Sequence, residues 1–130
     1  MKHNFIELRL NYAKQIPFSE TPVVITRFED FLNATTGCCI YPDTDLSEYT
    51  AEWFDIHAFV AFLLHAGSGS IRHQLEHIDI KNQIMKIGIN TLIPTIGTCD
   101  MASWLALVPV KKSDLEHVAV IDIVTTNKYQ

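Results

Sequence analysis

His73, Glu76 and His77, in the run HQLEH, form the sharpest chemical pattern in the chain. On a helix, two histidines four residues apart project from one side. His-x-x-Glu-His is the inverted zinc-protease spacing, in which two ring nitrogens bind Zn²⁺ and the glutamate between them serves as base. Such a site needs a third ligand. Glu116 is the one glutamate that follows, with Asp79, Asp100, Asp114 and Asp122 as weaker substitutes. A five-residue pattern also arises by chance in helices that hold histidines, and 130 residues are few for a protease that must also build a substrate cleft. The favoured reading is a solvated helix face with His–Glu pairs and no metal or cofactor; a small zinc-dependent hydrolase is the alternative.

The remaining chemical groups are sparser. His57 and His65 are eight residues apart, too far for one metal without a second element, and read as half-buried histidines satisfied by backbone or water. Cys38, Cys39 and Cys99 include no Cys-x-x-Cys pair and read as small packed hydrophobes in a reducing compartment. There is no Gly-x-Ser-x-Gly, and GSGS at 67–70 lacks the Gly-Lys-Ser/Thr ending of a P-loop; it reads as a turn. No acid pair sits in an evidently apolar setting that would raise a carboxyl pKa for acid catalysis, so no catalytic residue is assigned.

Charge is more informative than any of these motifs. Of 130 residues, 48% are apolar and the net charge is −5. Residues 1–27 carry four basic and two acidic groups. Residues 28–71 carry seven acids and neither Lys nor Arg, and residues 72–130 carry six of each sign. A nucleic-acid binder needs a basic stripe, and none is visible. An acidic field repels phosphate and anionic lipid and attracts a basic protein or a cation. The longest nearly apolar run, IHAFVAFLLHA, is too short to span a bilayer, and the N-terminus shows no apolar core of a signal peptide. The expected location is the cytoplasm.

The elements that must position these groups follow from periodicity. FIELRLNY alternates, with Ile6, Leu8, Leu10 and Tyr12 on one face, and predicts a strand. TPVVITRFEDFLNATTG predicts a short strand or extended lead-in, then a short helix that stops near Gly37. Leu46–Ala66 predicts a long helix, with Asp45 at its N-cap and Glu48 completing an approximate capping box. At 100° per residue, Glu48, Glu52 and Asp55 share one narrow stripe, while Tyr49, Trp53, Ile56, Val60 and Leu63 face the core. SIRHQLEHIDIKNQIMKIG predicts a second helix, though HIDIK also alternates. SWLALVPV and EHVAVIDIV, joined by a polar turn, predict a C-terminal β-hairpin, with Pro109 at an edge or strand end. The expected whole is a single α+β domain over 1–130, with helices packed on one face of a mainly antiparallel sheet.

The opening stretch of the predicted long helix, YPDTDLSEYTAEWFD, holds five acids, four aromatics and no base. Acids in a first helical turn complement the helix dipole. That accounts for Asp45 and Glu48 but not for Glu52 and Asp55, nor for 44 residues with neither Lys nor Arg. A partner-binding surface is therefore expected at Asp43, Asp45, Glu48, Glu52 and Asp55. Tyr41 and Phe54 flank it as the aromatics least committed to the core. In size, acidity and this DTDLSEYTAEWFD segment the chain resembles the immunity proteins of bacterial toxin systems, such as contact-dependent growth inhibition or nuclease colicins. That resemblance implies a non-enzymatic inhibitor bound to a basic toxin domain, typically a nuclease, with no direct contact to nucleic acid or membrane.

Overall fold

The computed structural model describes residues 5–10, 18–35, 46–66, 71–97 and 102–129. Its organising pair is β3 (His57–Ala66) and β6 (Ala102–Lys111), antiparallel over ten residues from His57 opposite Lys111 to Ala66 opposite Ala102. Both strands are apolar on both faces. Ala58, Val60, Phe62 and Leu64 point to one side with Trp104, Ala106, Val108 and Val110; Phe59 and Ala61 point to the other with Leu105 and Leu107. A strand covered on both faces reads as a continuous apolar run rather than an alternation. β1 (Ile6–Arg9) pairs with β6 and β2 (Val23–Ile25) pairs with β3, completing a four-stranded sheet in the order β1-β6-β3-β2.

A second sheet, in the order β4-β5-β7, covers one face. β4 (Arg72–Lys81) and β5 (Ile84–Ile93) form a hairpin whose two-residue turn has φ of 54° at Asn82 and 67° at Gln83. Positive φ at both positions is the type I′ geometry that matches strand twist, and Asn is among the residues that tolerate it best. β7 (Val120–Tyr129) runs parallel to β5, from Ile84 opposite Val120 to Ile93 opposite Tyr129. Leu75, Met85, Ile87 and Ile89 fill the space between the sheets, with Ile121 and Ile123 from β7 at its margin. On the far face of the central sheet lie α1 (Phe28–Thr35) and α2 (Trp53–Ile56), which bury Phe31, Ala34 and Phe54 against Ile6, Leu8, Phe59 and Leu107. The third helix, α3 (Lys112–Leu115), follows β6 and packs Leu115 into the cluster between the sheets.

The early elements match the sequence reading: Ile6, Leu8 and Leu10 are buried together, and the β2–α1 succession is the expected strand and helix. Three expectations are corrected. The long helix over Leu46–Ala66 does not form: residues 46–52 are turns and loop, the helix is limited to α2, and the apolar remainder is β3. Its proposed core face splits accordingly. Val60 faces the second sheet, Tyr49 and Leu63 face the helices, and Ile56 is 62% exposed. The second helix is the β4–β5 hairpin. The C-terminal hairpin is absent because β6 and β7 belong to different sheets. Pro109 lies near the end of β6, beyond Leu107, where the described pairing with β1 stops. The structure is thus mixed α+β and predominantly strand.

One polar tie joins the two sheets inside this apolar body. Glu7 on β1 turns toward β4, where its Oε2 accepts the His73 backbone N–H at 3.2 Å and lies 3.0 Å from His73 Nδ1. An ionised carboxylate only accepts, so Nδ1 carries the proton in this contact. Arg72 Nε lies 4.0 Å from the other carboxylate oxygen, and its guanidinium sits 4.4 Å above the Trp104 ring. The His73 side chain is only 2% exposed, so both of its donors depend on Glu7. Glu7→Ala is expected to lower unfolding free energy by about 2–3 kcal/mol, the cost of stranding buried donors. Glu7→Gln, which keeps one acceptor oxygen, should recover part of that loss. Urea denaturation of the three proteins checks this, and equal midpoints for all three would show that the tie contributes nothing.

Candidate functional site

The acidic segment is shaped by what its aromatic residues do. Tyr49, Trp53 and Phe54 turn inward onto Phe59 of β3, with ring centroids 5.0, 4.7 and 5.8 Å away. Phe31 of α1 closes the same cluster at 5.3 Å from Phe59. Trp53 stacks on His57 at 4.8 Å, and the imidazole Nδ1 lies 3.3 Å from the Trp53 carbonyl. Between the aromatics the chain is a succession of tight turns. The Tyr49 N–H donates to the Leu46 carbonyl, Phe54 N–H to the Thr50 carbonyl and Asp55 N–H to the Glu52 carbonyl, while Thr50 Oγ1 accepts the Trp53 N–H at 3.3 Å. With the rings committed inward, Glu48, Glu52 and Asp55 are left exposed.

α1 adds Glu29 and Asp30 in its first turn, where the helix dipole favours them, and both are exposed. The five described acids of residues 28–71 therefore all stand on elements that cover one face of the central sheet. Arg27 reaches Glu29 at 3.0 Å, but both side chains are mostly exposed and such a pair is worth little. Among the described residues, no ion pair within 4.0 Å joins Asp30, Glu48, Glu52 or Asp55 to a basic side chain. Asp43, Asp45 and Tyr41 lie outside the described residues, as do the three cysteines. Phe54 is corrected: it is 3% exposed and packs against Phe28, Phe31 and Trp53, so it cannot offer its ring to a partner.

The HQLEH pattern sits on β4 rather than on a helix. Pairing with β5 shifts register between Leu75 and His77, so Glu76 is a bulge. The bulge reverses the in–out alternation. His73 is buried toward Glu7, whereas His77 is exposed on the outer face, its ring so close above Gly88 that a Cβ there would meet it at 2.4 Å. The two imidazoles point to opposite sides of the strand and cannot share one metal. No group of three or more potential ligands is found among the described residues.

The sequence reading missed a second cluster. His65 and Ser103 are cross-strand partners, and His65 Nδ1 lies 2.7 Å from Ser103 Oγ. Glu20 stands 3.7 Å from His65 Nε2. A hydroxyl, an imidazole and a carboxylate thus follow in order beside a cleft of about 380 Å³ lined by Leu63, Ile123 and Thr125. Only the first link is a hydrogen bond. The second joins side chains 51% and 77% exposed, and Ser103 is buried in a central strand. The only signal for this cluster is the β3–β6 register, which a local pattern does not contain.

What these features define is a two-sheet α+β protein with an acid-bearing layer on its central sheet. In comparison with known proteins, no family model, curated sequence or solved structure matches the chain. Among the described residues, no helix is long and apolar enough to cross a membrane.

Tyr49 offers a probe of the acidic segment. Burial, then the hydrogen bond its hydroxyl donates to Glu48, then the charge of Glu48, push its phenol up to about 12 from the ordinary 10. Since the folded-state value is the higher one, the stabilisation is fully present below pH 10. It is lost as pH rises toward about 12, because the unfolded chain ionises first. Tyrosinate absorbance should show a phase near pH 12 that disappears in Tyr49→Phe and moves lower in Glu48→Gln. An unchanged titration in Tyr49→Phe would contradict this assignment.

Proposed function

We propose that this protein is a non-enzymatic immunity or inhibitor protein that works in the bacterial cytoplasm and neutralises a basic partner, most plausibly a nuclease toxin domain. The observation that supports this reading is the placement of Glu29, Asp30, Glu48, Glu52 and Asp55 on a single layer, exposed, with Arg27 on Glu29 as the one basic side chain paired to them among the described residues. Opposed fields raise association rates toward about 10⁸–10⁹ M⁻¹s⁻¹ at low salt, which suits a protein that must capture an incoming toxin quickly. An acidic surface can also occupy the groove in which a nuclease holds phosphate. Asp43, Asp45 and Tyr41 belong to this surface in the proposal; Phe54 serves it from beneath by anchoring the turn that carries Glu52 and Asp55.

The test is co-expression with the basic C-terminal domain of a secreted protein encoded in the adjacent reading frame, followed by affinity and nuclease-inhibition measurements. Glu52→Lys combined with Asp55→Lys should weaken binding about 10- to 100-fold and flatten its salt dependence. Thermal unfolding should stay unchanged, since both side chains are exposed and outside the aromatic cluster. Undiminished affinity in the double variant would move the contact off this layer.

A further inference from the structure

Beside the acid-bearing layer, β2 has an open edge. It pairs with β3 through Val23–Ala61, Val24–Val60 and Ile25–Phe59, and no other described strand lies against it. Val23 and Val24, which point to opposite faces, are 41% and 39% exposed, so β2 presents accessible side chains on both faces. Between β2 and α1 runs an open cleft of about 320 Å³. Phe18, the β2 residues and Ala34 make its floor, and Asp30 and Asn33 its rim. A sheet edge that no other described strand pairs with, an apolar slot and a carboxylate on the rim has the components of strand addition: backbone hydrogen bonds give affinity and alternate side chains give selectivity.

We propose that the β2 edge and this cleft hold an extended segment of the cationic partner, with an apolar and a basic side chain two residues apart on the face toward α1. An apolar side chain, β-branched or aromatic, enters the slot against Val23 and Ala34, and a Lys or Arg two positions along, on the same face, meets Asp30. The inference rests on the proposed acidic contact and adds a defined anchor to it. Charge selects this occupant over a second copy of the chain. Pairing β2 with its own counterpart would bring Glu29 and Asp30 of two molecules together, each molecule carrying a net −5. Three residues of β2 accept only a short segment, so the anchor fixes register while the wider acidic layer supplies the long-range attraction.

The probe is a capped peptide about eight residues long in which Val and Lys alternate along one face with Ser between them (the Lys-Val peptide), and the controls carry Ser or Glu in place of Lys (the Ser-Val and Glu-Val peptides). Amide shifts on titration report where each binds. The Lys-Val peptide should shift the amides of Val23–Ile25 and of α1, and the Glu-Val peptide should not bind. Asp30→Lys should weaken the Lys-Val peptide about tenfold, and Asn33→Trp, at an exposed rim position, should block it. Glu52→Lys with Asp55→Lys should leave peptide binding within about twofold while weakening the whole partner, which separates this inference from the acidic contact it builds on. Shifts confined to residues 48–55 would overturn the β2 site and leave the acidic contact standing. Equal binding of the Ser-Val peptide would overturn the role of Asp30. Self-association abolished by Asn33→Trp would make the occupant a second copy and overturn the proposal.

Discussion

The β3–β6 ladder is buried on both faces, and most of the remaining structure follows from covering it. Phe59, Val60, Ala61 and Phe62 are at most 1% exposed, and Leu105 to Val108 are fully buried. Withdrawing a large apolar side chain from water contributes about 1.5–3 kcal/mol, but only if every backbone N–H and C=O that goes with it finds a partner. Ten residues of antiparallel pairing, flanked by β1 and β2, meet that condition at the centre. One face then requires a second sheet, and the other requires the aromatic layer of Phe31, Tyr49, Trp53 and Phe54. The acids of residues 46–56 stand outward because that layer has only one side left for them.

The same constraint explains what was legible in the sequence. β1 was readable because the residues between its buried ones are polar and its alternation survives. β3 was not: HAFVAFLLHA is apolar on both faces, contains a single β-branched residue, and fits a helical wheel as well as it fits a strand. The wheel then assigned Ile56 to the core and Phe54 to the surface, the reverse of what the structure shows, since the angles belonged to a helix that does not exist. In β4 the bulge at Glu76 interrupts the alternation that would have identified a strand, and leaves two histidines at a spacing that imitates a zinc motif. The parallel partnership of β5 with β7 joins segments separated by a strand of the other sheet, so no local pattern could announce it. The exposed acids could be read because charge distribution depends on composition rather than on periodicity.

Polar groups between the layers play a different part from those outside. Glu7, His73 and Arg72 meet where β1 approaches β4, at a margin that apolar packing alone would leave free to slide. A carboxylate that accepts from both the backbone and the ring of His73 fixes one alignment of the two sheets, and a slip would strand two donors. The same logic applies near the Ala66–Ala102 end of the ladder, where Ser103 and His65 satisfy each other across the strands. Both clusters contain residues that resemble catalytic or metal-binding parts when taken one at a time. In this fold both also tie polar groups together at the sheet margins.

The acidic layer contrasts with these ties because the fold does not depend on its charges. Exposed like charges oppose one another by only a few tenths of a kcal/mol, while the rings beside them are held by burial several times larger. Tyr49, Trp53 and Phe54 would bring residues 46–56 down onto Phe59 whatever occupied the outward positions. Keeping the chain in solution needs net charge, which can be spread over any surface; it does not need five described acids on a single layer with one weak basic counterpart. The segregation is therefore an addition to the fold rather than a requirement of it. Its one evident physical consequence is a directional negative field anchored on a rigid aromatic base, an arrangement suited to meeting a cationic surface in a fixed orientation.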